Sequence, residues 1–182
     1  MSAARLIKYL QFAYLSKPPI EKSIFRTIRT TRAGHLVELG VGTGQLAARM
    51  IELAAGYSTR PRVQYTGIDL FELRHDDDRR LSLRETHQLL SRTDARVRLI
   101  PGDPYTALAC HANTLLDTDL IVIHADQDPT LVARAWFYVP RMLHAGSRVI
   151  IESEDESTPP RVLDPGAVRQ LADAAKPRRR AA

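Results

Sequence analysis

The sequence predicts a doubly wound α/β fold, a mostly parallel sheet with helices on both faces, and three observations lead to it. Short apolar runs bounded by Gly, Asp or Glu recur along the chain, as in Leu120–Ile123 and Val149–Ile151, the form of strands buried on both faces. Helical periods lie between these runs. Near the start stands a strand–turn–helix unit, His35-Leu-Val-Glu-Leu-Gly-Val-Gly-Thr-Gly-Gln45 followed by Leu-Ala-Ala-Arg-Met-Ile-Glu-Leu-Ala-Ala. Strands alternating with helices imply right-handed crossovers, and ligands of such sheets sit beyond the carboxyl ends of the strands, at the switch point.

In chain order, two apolar-periodic segments, around Ala4–Leu15 and Ile20–Thr30 and broken by Lys17-Pro-Pro19, form a helical cap over residues 1–32. The cap is expected near the ligand cleft, or as cover for a sheet edge. The core, 33–153, begins with the strand at His35 and a helix whose Leu46, Met50 and Leu53 share one face. Val63–Asp69 reads as the second strand. A helix then carries Leu83, His87 and Leu90 on one side. Val97–Pro101 is the third strand and Asp119–Ile123 the fourth. A stripe of Val132, Trp136, Val139 and Leu143 predicts one more helix, kinked or split at Pro140 and ended by a turn at Ala145-Gly146. Gly146–Glu152 is the fifth strand. In the tail, 154–182, there is room for a helix over Val168–Ala175 and one short strand at Arg161–Leu163, so the sheet is shortened and exposes an edge that a second copy of the chain could cover. The whole, 1–182, reads as a single domain.

The glycine turn carries the chemistry. Gly40, Gly42 and Gly44 permit positive φ and the close approach of a ligand, and the helix that follows offers unpaired N–H groups. Gly42-Thr-Gly-Gln-Leu-Ala47 also satisfies the dinucleotide pattern G-x-G-x-x-G/A. Glu38 decides between the two, because its carboxylate would repel a pyrophosphate and attract an amine or a ribose hydroxyl. A nucleoside with a cationic amino-acid arm, S-adenosylmethionine, fits that combination.

Glu38-Leu-Gly-Val-Gly-Thr-Gly44 resembles the first motif, E/D-x-G-x-G-x-G, of the class I S-adenosylmethionine-dependent methyltransferases. Further landmarks follow in the family's order from about Ile20 to Ser153. The resemblance implies the Rossmann-like methyltransferase fold. It also implies a cofactor site of Glu38, Gly40, Gly42, Thr43, Gly44, Asp69, Leu70, Gly102, Asp103, Pro104 and His124, with Asp69 on the ribose hydroxyls and Gly102-Asp103 at the adenine. After the fourth strand, Ile123-His-Ala-Asp-Gln-Asp-Pro129 stands where catechol and caffeoyl-coenzyme A O-methyltransferases carry a D-A-D-K or D-G-D-H metal motif. Here the first Asp is His124, and the later Asp-Asn pair is Glu152-Ser153, so no metal is expected. His124 and Asp126 are the candidate catalytic residues. His124 is placed either as a general base or as a hydrogen-bonding group, and Asp128 before Pro129 reads as turn chemistry.

The expected activity is methyl transfer to a small-molecule acceptor. The alternatives are a catalytically silent S-adenosylmethionine-binding protein and, less favoured, an RNA methyltransferase or an NAD-dependent oxidoreductase. A net charge of +5 over 182 residues makes nucleic acid a conceivable partner. Arg26, Arg29 and Arg32 can line one helical face, and Lys176-Pro-Arg-Arg-Arg180 is a basic run, but no interleaved aromatic and basic platform is evident in the order of residues. Arg74-His-Asp-Asp-Asp-Arg-Arg80 reads as a solvated loop. The single Cys110, read as a small core residue, excludes an internal disulfide and fits a cytoplasmic setting. No run reaches transmembrane length, so no membrane partner is expected.

Overall fold

The computed structural model describes residues 7, 9–12, 19–73, 81–155 and 157–175. Helix α1 (Pro19–Thr31) buries Ile20, Ile24, Phe25 and Ile28, and Glu21 in its first turn and Arg29 in its last complement the helix dipole. Strand β1 (His35–Leu39) is buried at all its positions and runs through the glycine turn into α2 (Gln45–Tyr57). Strand β2 (Gln64–Asp69) follows, then α3 (Leu83–Leu90), started by a capping box in which Ser82 and Glu85 bond reciprocally. Strand β3 (Arg96–Pro101) leads to α4 (Pro104–His111), and β4 (Thr118–Ile123) to α5 (Pro129–Ala135). Both helices start at an Asp-Pro pair. Asp103 accepts from Thr106 N–H, Asp128 accepts from Thr130 and Leu131 N–H, and each proline supplies the fixed φ of the first turn. Strand β5 (Leu143–Ile151), β6 (Arg161–Leu163) and α6 (Pro165–Ala175) complete the chain.

The sheet order is β3-β2-β1-β4-β5-β6, parallel except for β6, which pairs antiparallel with β5. One core lies on the α1–α2 face around Ile24, Phe25, Met50 and Tyr65. The other lies under α4, α5 and α6 around Leu108, Ile121, Trp136 and Val168. The doubly wound reading and the shortened tail, a single short strand and a helix, both hold.

The structure departs from expectation at several places. The stripe from Val132 to Leu143 is not one helix. α5 stops at Ala135, a 3-10 turn covers Val139–Met142, and Leu143 opens β5, so Ala145-Gly146 lies within a strand. Pro140 has no N–H to continue the helix, and the split follows. In α3 the buried side chains are Thr86 and Leu90, whereas His87 is exposed. Cys110 lies on the outer side of α4 and is exposed, not a core residue. Of the predicted arginine face, Arg29 stacks on Tyr9, with its guanidinium carbon 4.2 Å from the ring centre, and Arg32 lies beyond the helix at φ 53°. Most of Ala4–Leu15, the Arg74–Arg80 run and Lys176–Arg180 fall outside the described residues. Among the described residues no helix is long and apolar enough to cross a membrane.

Candidate functional site

The glycine turn lies at the carboxyl end of β1, where the sheet order reverses between β2 and β4. Gly40, Gly42 and Gly44 take φ of 95°, 56° and 69°, values that residues other than Gly, Asn and Asp adopt rarely. At Gly40 a Cβ would lie 2.6 Å from Gln127 Nε2 and 2.8 Å from Asp126 Oδ1. At Gly42 it would meet nothing within 4 Å. Gly44 precedes α2 with no side-chain cap, so the helix's first N–H groups are left for another partner.

Asp69, the last residue of β2, is buried beneath this turn. Its carboxylate accepts from the N–H of Val41 (2.7 Å), Gly42 (3.1 Å) and Phe71 (3.0 Å). It therefore fixes the shape of the glycine turn. Leu70 is half-buried beside it, and the N–H of Gly102 donates to the carbonyl of Asp69 (2.9 Å), which ties the β3 end to the β2 end. Asp103 caps α4, Pro104 is the helix's buried first residue, and Thr43 is exposed at the tip of the turn. Burial works against the charged form of Asp103, but the Thr106 and Tyr105 N–H groups outweigh it and hold its carboxyl below the ordinary range.

Beside the turn, sheet register assembles a second group. Leu39 pairs with Ile123, and Ile123 with Ile151, so His124 emerges next to Glu152 and diagonally across from Glu38. Glu38 in turn pairs with Gly67, two residues past Tyr65 on the same face of β2. Glu38 is fully buried and accepts from Tyr65 Oη (2.5 Å) and from His124 Nε2 (2.9 Å). Glu152 accepts from His124 Nδ1 (2.9 Å) and from the N–H of Ala125 (3.2 Å). Burial pushes the His124 ring toward neutrality. Its hydrogen bonds to Glu152 and Glu38 overcome that and raise its pKa to about 10. Burial likewise opposes the charged form of Glu152, and the imidazolium outweighs it, holding that carboxyl below its usual value. Burial first, then the Glu38 charge, lift the Tyr65 phenol above its usual range.

His124 is thus a fixed cation between two carboxylates at neutral pH, with both ring nitrogens donating. Both ring nitrogens are engaged by carboxylates, which matches the hydrogen-bonding role that the sequence offered beside the general base. Sequence reasoning placed His124, Glu38 and Glu152 near one another but missed Tyr65 and the bonds joining them. Glu38, Gly40, Val41, Gly42, Leu46, His124, Ala125, Asp126, Glu152, Ser153 and Glu154 line one cavity of about 330 Å³. Asp126 lies at its edge, accepting from Gln127 Nε2 (2.7 Å). The cap contributes as well, since Pro19 and Ile20 border a smaller recess shared with Glu152 and Ser153. Thr43, Gly44, Asp69, Leu70, Gly102, Asp103 and Pro104 do not line the main cavity.

No family model and no curated protein matches the chain. Solved structures do. A TehB-like S-adenosylmethionine-dependent methyltransferase from Corynebacterium glutamicum superposes with a TM-score of 0.52 at 17% identity, over 94% of this chain and 79% of the other. The O-methyltransferase TomG from Streptomyces achromogenes, in complex with S-adenosylmethionine, gives 0.55 at 13% identity, over 96% and 78%. The fold is that of the class I S-adenosylmethionine-dependent methyltransferases. In the methyltransferase fold the glycine turn and the cavity beside it occupy the switch-point crevice where α/β sheets take their ligands.

Proposed function

We propose that this chain is an S-adenosylmethionine-dependent methyltransferase acting on a small-molecule acceptor. The observation that carries the reading is the glycine turn, held in positive φ at Gly40, Gly42 and Gly44, opening onto a cavity lined by four carboxylates. The residues fit that cofactor. Open space above Gly42 admits a ligand against the backbone, and Glu38, Asp126, Glu152 and Glu154 complement the positive ammonium and sulfonium of its amino-acid arm. A pyrophosphate would meet the same carboxylates as repulsion. When bound, the cofactor supplies a methyl group on a cationic sulfur, open to in-line attack by a nucleophile.

The chain's own part is positioning. Asp69 presets the turn through the Val41 and Gly42 N–H groups. The Tyr65–Glu38–His124–Glu152 chain of hydrogen bonds locks the cavity floor and keeps its charge fixed. In this reading Asp126, which lines the cavity, accepts a hydrogen bond and a proton from the acceptor. Ser153 and Glu154 with Pro19 and Ile20 border its approach. Positioning of this kind supplies much of the rate of a transfer to a good electrophile.

The test is calorimetric titration with S-adenosylmethionine, S-adenosylhomocysteine and NAD, on the wild type and on Gly42→Asn. Asparagine tolerates positive φ, so the variant is expected to fold while its side chain fills the space above residue 42. Binding of both sulfur nucleosides, lost in Gly42→Asn and absent for NAD, supports the reading. A wild type that binds neither overturns it. Methyl transfer to a panel of small hydroxyl- and amine-bearing acceptors then separates an enzyme from a silent cofactor-binding protein.

A further inference from the structure

Away from the cavity, on the α4–α5–α6 face, side chains distant in sequence meet. Tyr105, near the start of α4, lies 5.9 Å from Tyr138 between ring centres, and Tyr138 lies 5.2 Å from Phe137, edge to face at 86°. The Arg134 guanidinium carbon sits 3.8 Å from the centre of the Tyr105 ring. That of Arg141 is 5.5 Å from Phe137 and 5.3 Å from Tyr138. Arg141 and Arg169, with Phe137, Pro140, Ala172 and Asp173, line a groove of about 350 Å³. Arg141 also donates to Asn113 (3.3 Å), and Arg98 reaches the adjacent Thr114 (2.8 Å), which extends the surface to the β3 edge. The interleaved platform that sequence order did not reveal is therefore assembled by the fold.

Three properties of this surface point to its ligand. Among the described residues, Arg98, Arg134, Arg141 and Arg169 have no carboxylate within ion-pair distance, so four exposed guanidinium groups share one face without ion-pair partners there. A guanidinium stacked on a ring keeps its N–H edge directed outward, the form in which arginine binds phosphate oxygens. Phe137 is 44% exposed, a flat apolar face among cations. Charge is also segregated. Four carboxylates line the cavity, whereas here four arginines face one carboxylate, Asp173.

We propose that the Arg98–Arg134–Arg141–Arg169 surface, with Phe137 and Tyr138 between its arginines, binds a single-stranded polynucleotide. The phosphates lie on the guanidinium groups and a base stacks on Phe137. An anionic membrane would use the charges but would gain little apolar burial from a ring only 44% exposed and packed against Tyr138, and a duplex would keep its bases stacked internally and out of reach. This surface shares no residue with the main cavity and is independent of the methyltransferase reading.

The test is fluorescence anisotropy of labelled oligouridylate RNA and oligothymidylate DNA, each of about 16 nucleotides, against the full chain over a range of salt. The variants are Arg134→Gln/Arg141→Gln and Phe137→Ala. The wild type is expected to bind one or both strands. The double arginine variant should flatten the log–log salt dependence by about 1.4, roughly 0.7 for each phosphate no longer neutralised. Phe137→Ala should weaken binding about tenfold with the salt slope unchanged. All variants should keep the wild-type affinity for S-adenosylhomocysteine and a melting temperature close to it, which separates failure here from failure of the cofactor reading. Three outcomes overturn the proposal. They are no binding to either strand, binding that Phe137→Ala leaves unchanged and heparin displaces as well as nucleic acid does, and preference for phosphatidylserine vesicles over the strands.

Discussion

His124 makes the stability of this protein fall with rising pH in the neutral-to-alkaline range. Its folded pKa, about 10, lies above the ordinary histidine value of 6.5. A group whose folded pKa is raised contributes stability that is complete below the unfolded value and is lost as pH rises through the folded one. At roughly 1.4 kcal/mol per pH unit, the clamp is worth on the order of 5 kcal/mol at acidic pH, and about 3 kcal/mol of that disappears between about pH 6.5 and about pH 9. For a chain of this length, that loss lowers the melting temperature by roughly 10 °C. Other groups leave the window clear. His35, whose pKa burial and Arg60 depress, acts on the acid side of its ordinary value, and the raised Tyr65 acts only near pH 10 and above. The assay is urea unfolding of the wild type, His124→Gln and Glu152→Gln across that range. His124→Gln leaves Glu38 buried without its cation and should cost about 3–5 kcal/mol near pH 6.5, converging on the wild type as pH rises. Glu152→Gln removes one of the two carboxylates and should move the wild-type decline to lower pH with a smaller amplitude. Nitrogen NMR should find both ring nitrogens of His124 protonated at about pH 8. Parallel stability curves for wild type and His124→Gln, or a neutral ring at that pH, would refute the clamp.

Two further outcomes follow from interactions elsewhere. Gly67→Ala would put a Cβ 2.6 Å from Val41 Cγ2 and 3.1 Å from Leu99 Cδ2, inside the sheet and beneath the glycine turn. Urea unfolding should show a loss of about 1–3 kcal/mol, accompanied by weaker S-adenosylhomocysteine binding. Asp119 accepts from the N–H of Gly34 (2.8 Å) and His35 (2.7 Å) and from His144 Nε2 (2.9 Å), at the end of the sheet opposite the cavity. Asp119→Ala should cost about 2–4 kcal/mol by orphaning those donors, without changing cofactor affinity once folded, as titration at low temperature would check.

Much of the fold was legible because its signals are local. Asp103-Pro104 and Asp128-Pro129 announce helix starts through the capping carboxylate and the fixed proline φ, and both helices start there. Pro140 announced a break, and the helix stops ahead of it at Ala135. What misled was periodicity across that break. Leu143 continues the helical spacing of Val132 and Trp136, yet it is the first residue of β5, because sheet pairing with Thr118 outweighs a propensity of tenths of a kcal/mol. Cys110 and His87 were misplaced for a related reason, since an isolated helix does not state which side will face the sheet.

The sequence alone determined the strand–glycine–helix unit, the order of strands and helices, and the short tail. Each depends on backbone preferences and burial patterns within a few residues. Only the tertiary structure decided what the charged groups do. Parallel register put His124 between Glu38 and Glu152, so that both its ring nitrogens bond to carboxylates. It set Asp69 under the Val41 and Gly42 N–H groups, and it gathered Tyr105, Arg134, Phe137, Arg141 and Arg169 onto one face. A side chain's electrostatic role depends on the distance and burial of its partners, and those of Glu38 and His124 lie 27–86 residues away along the chain.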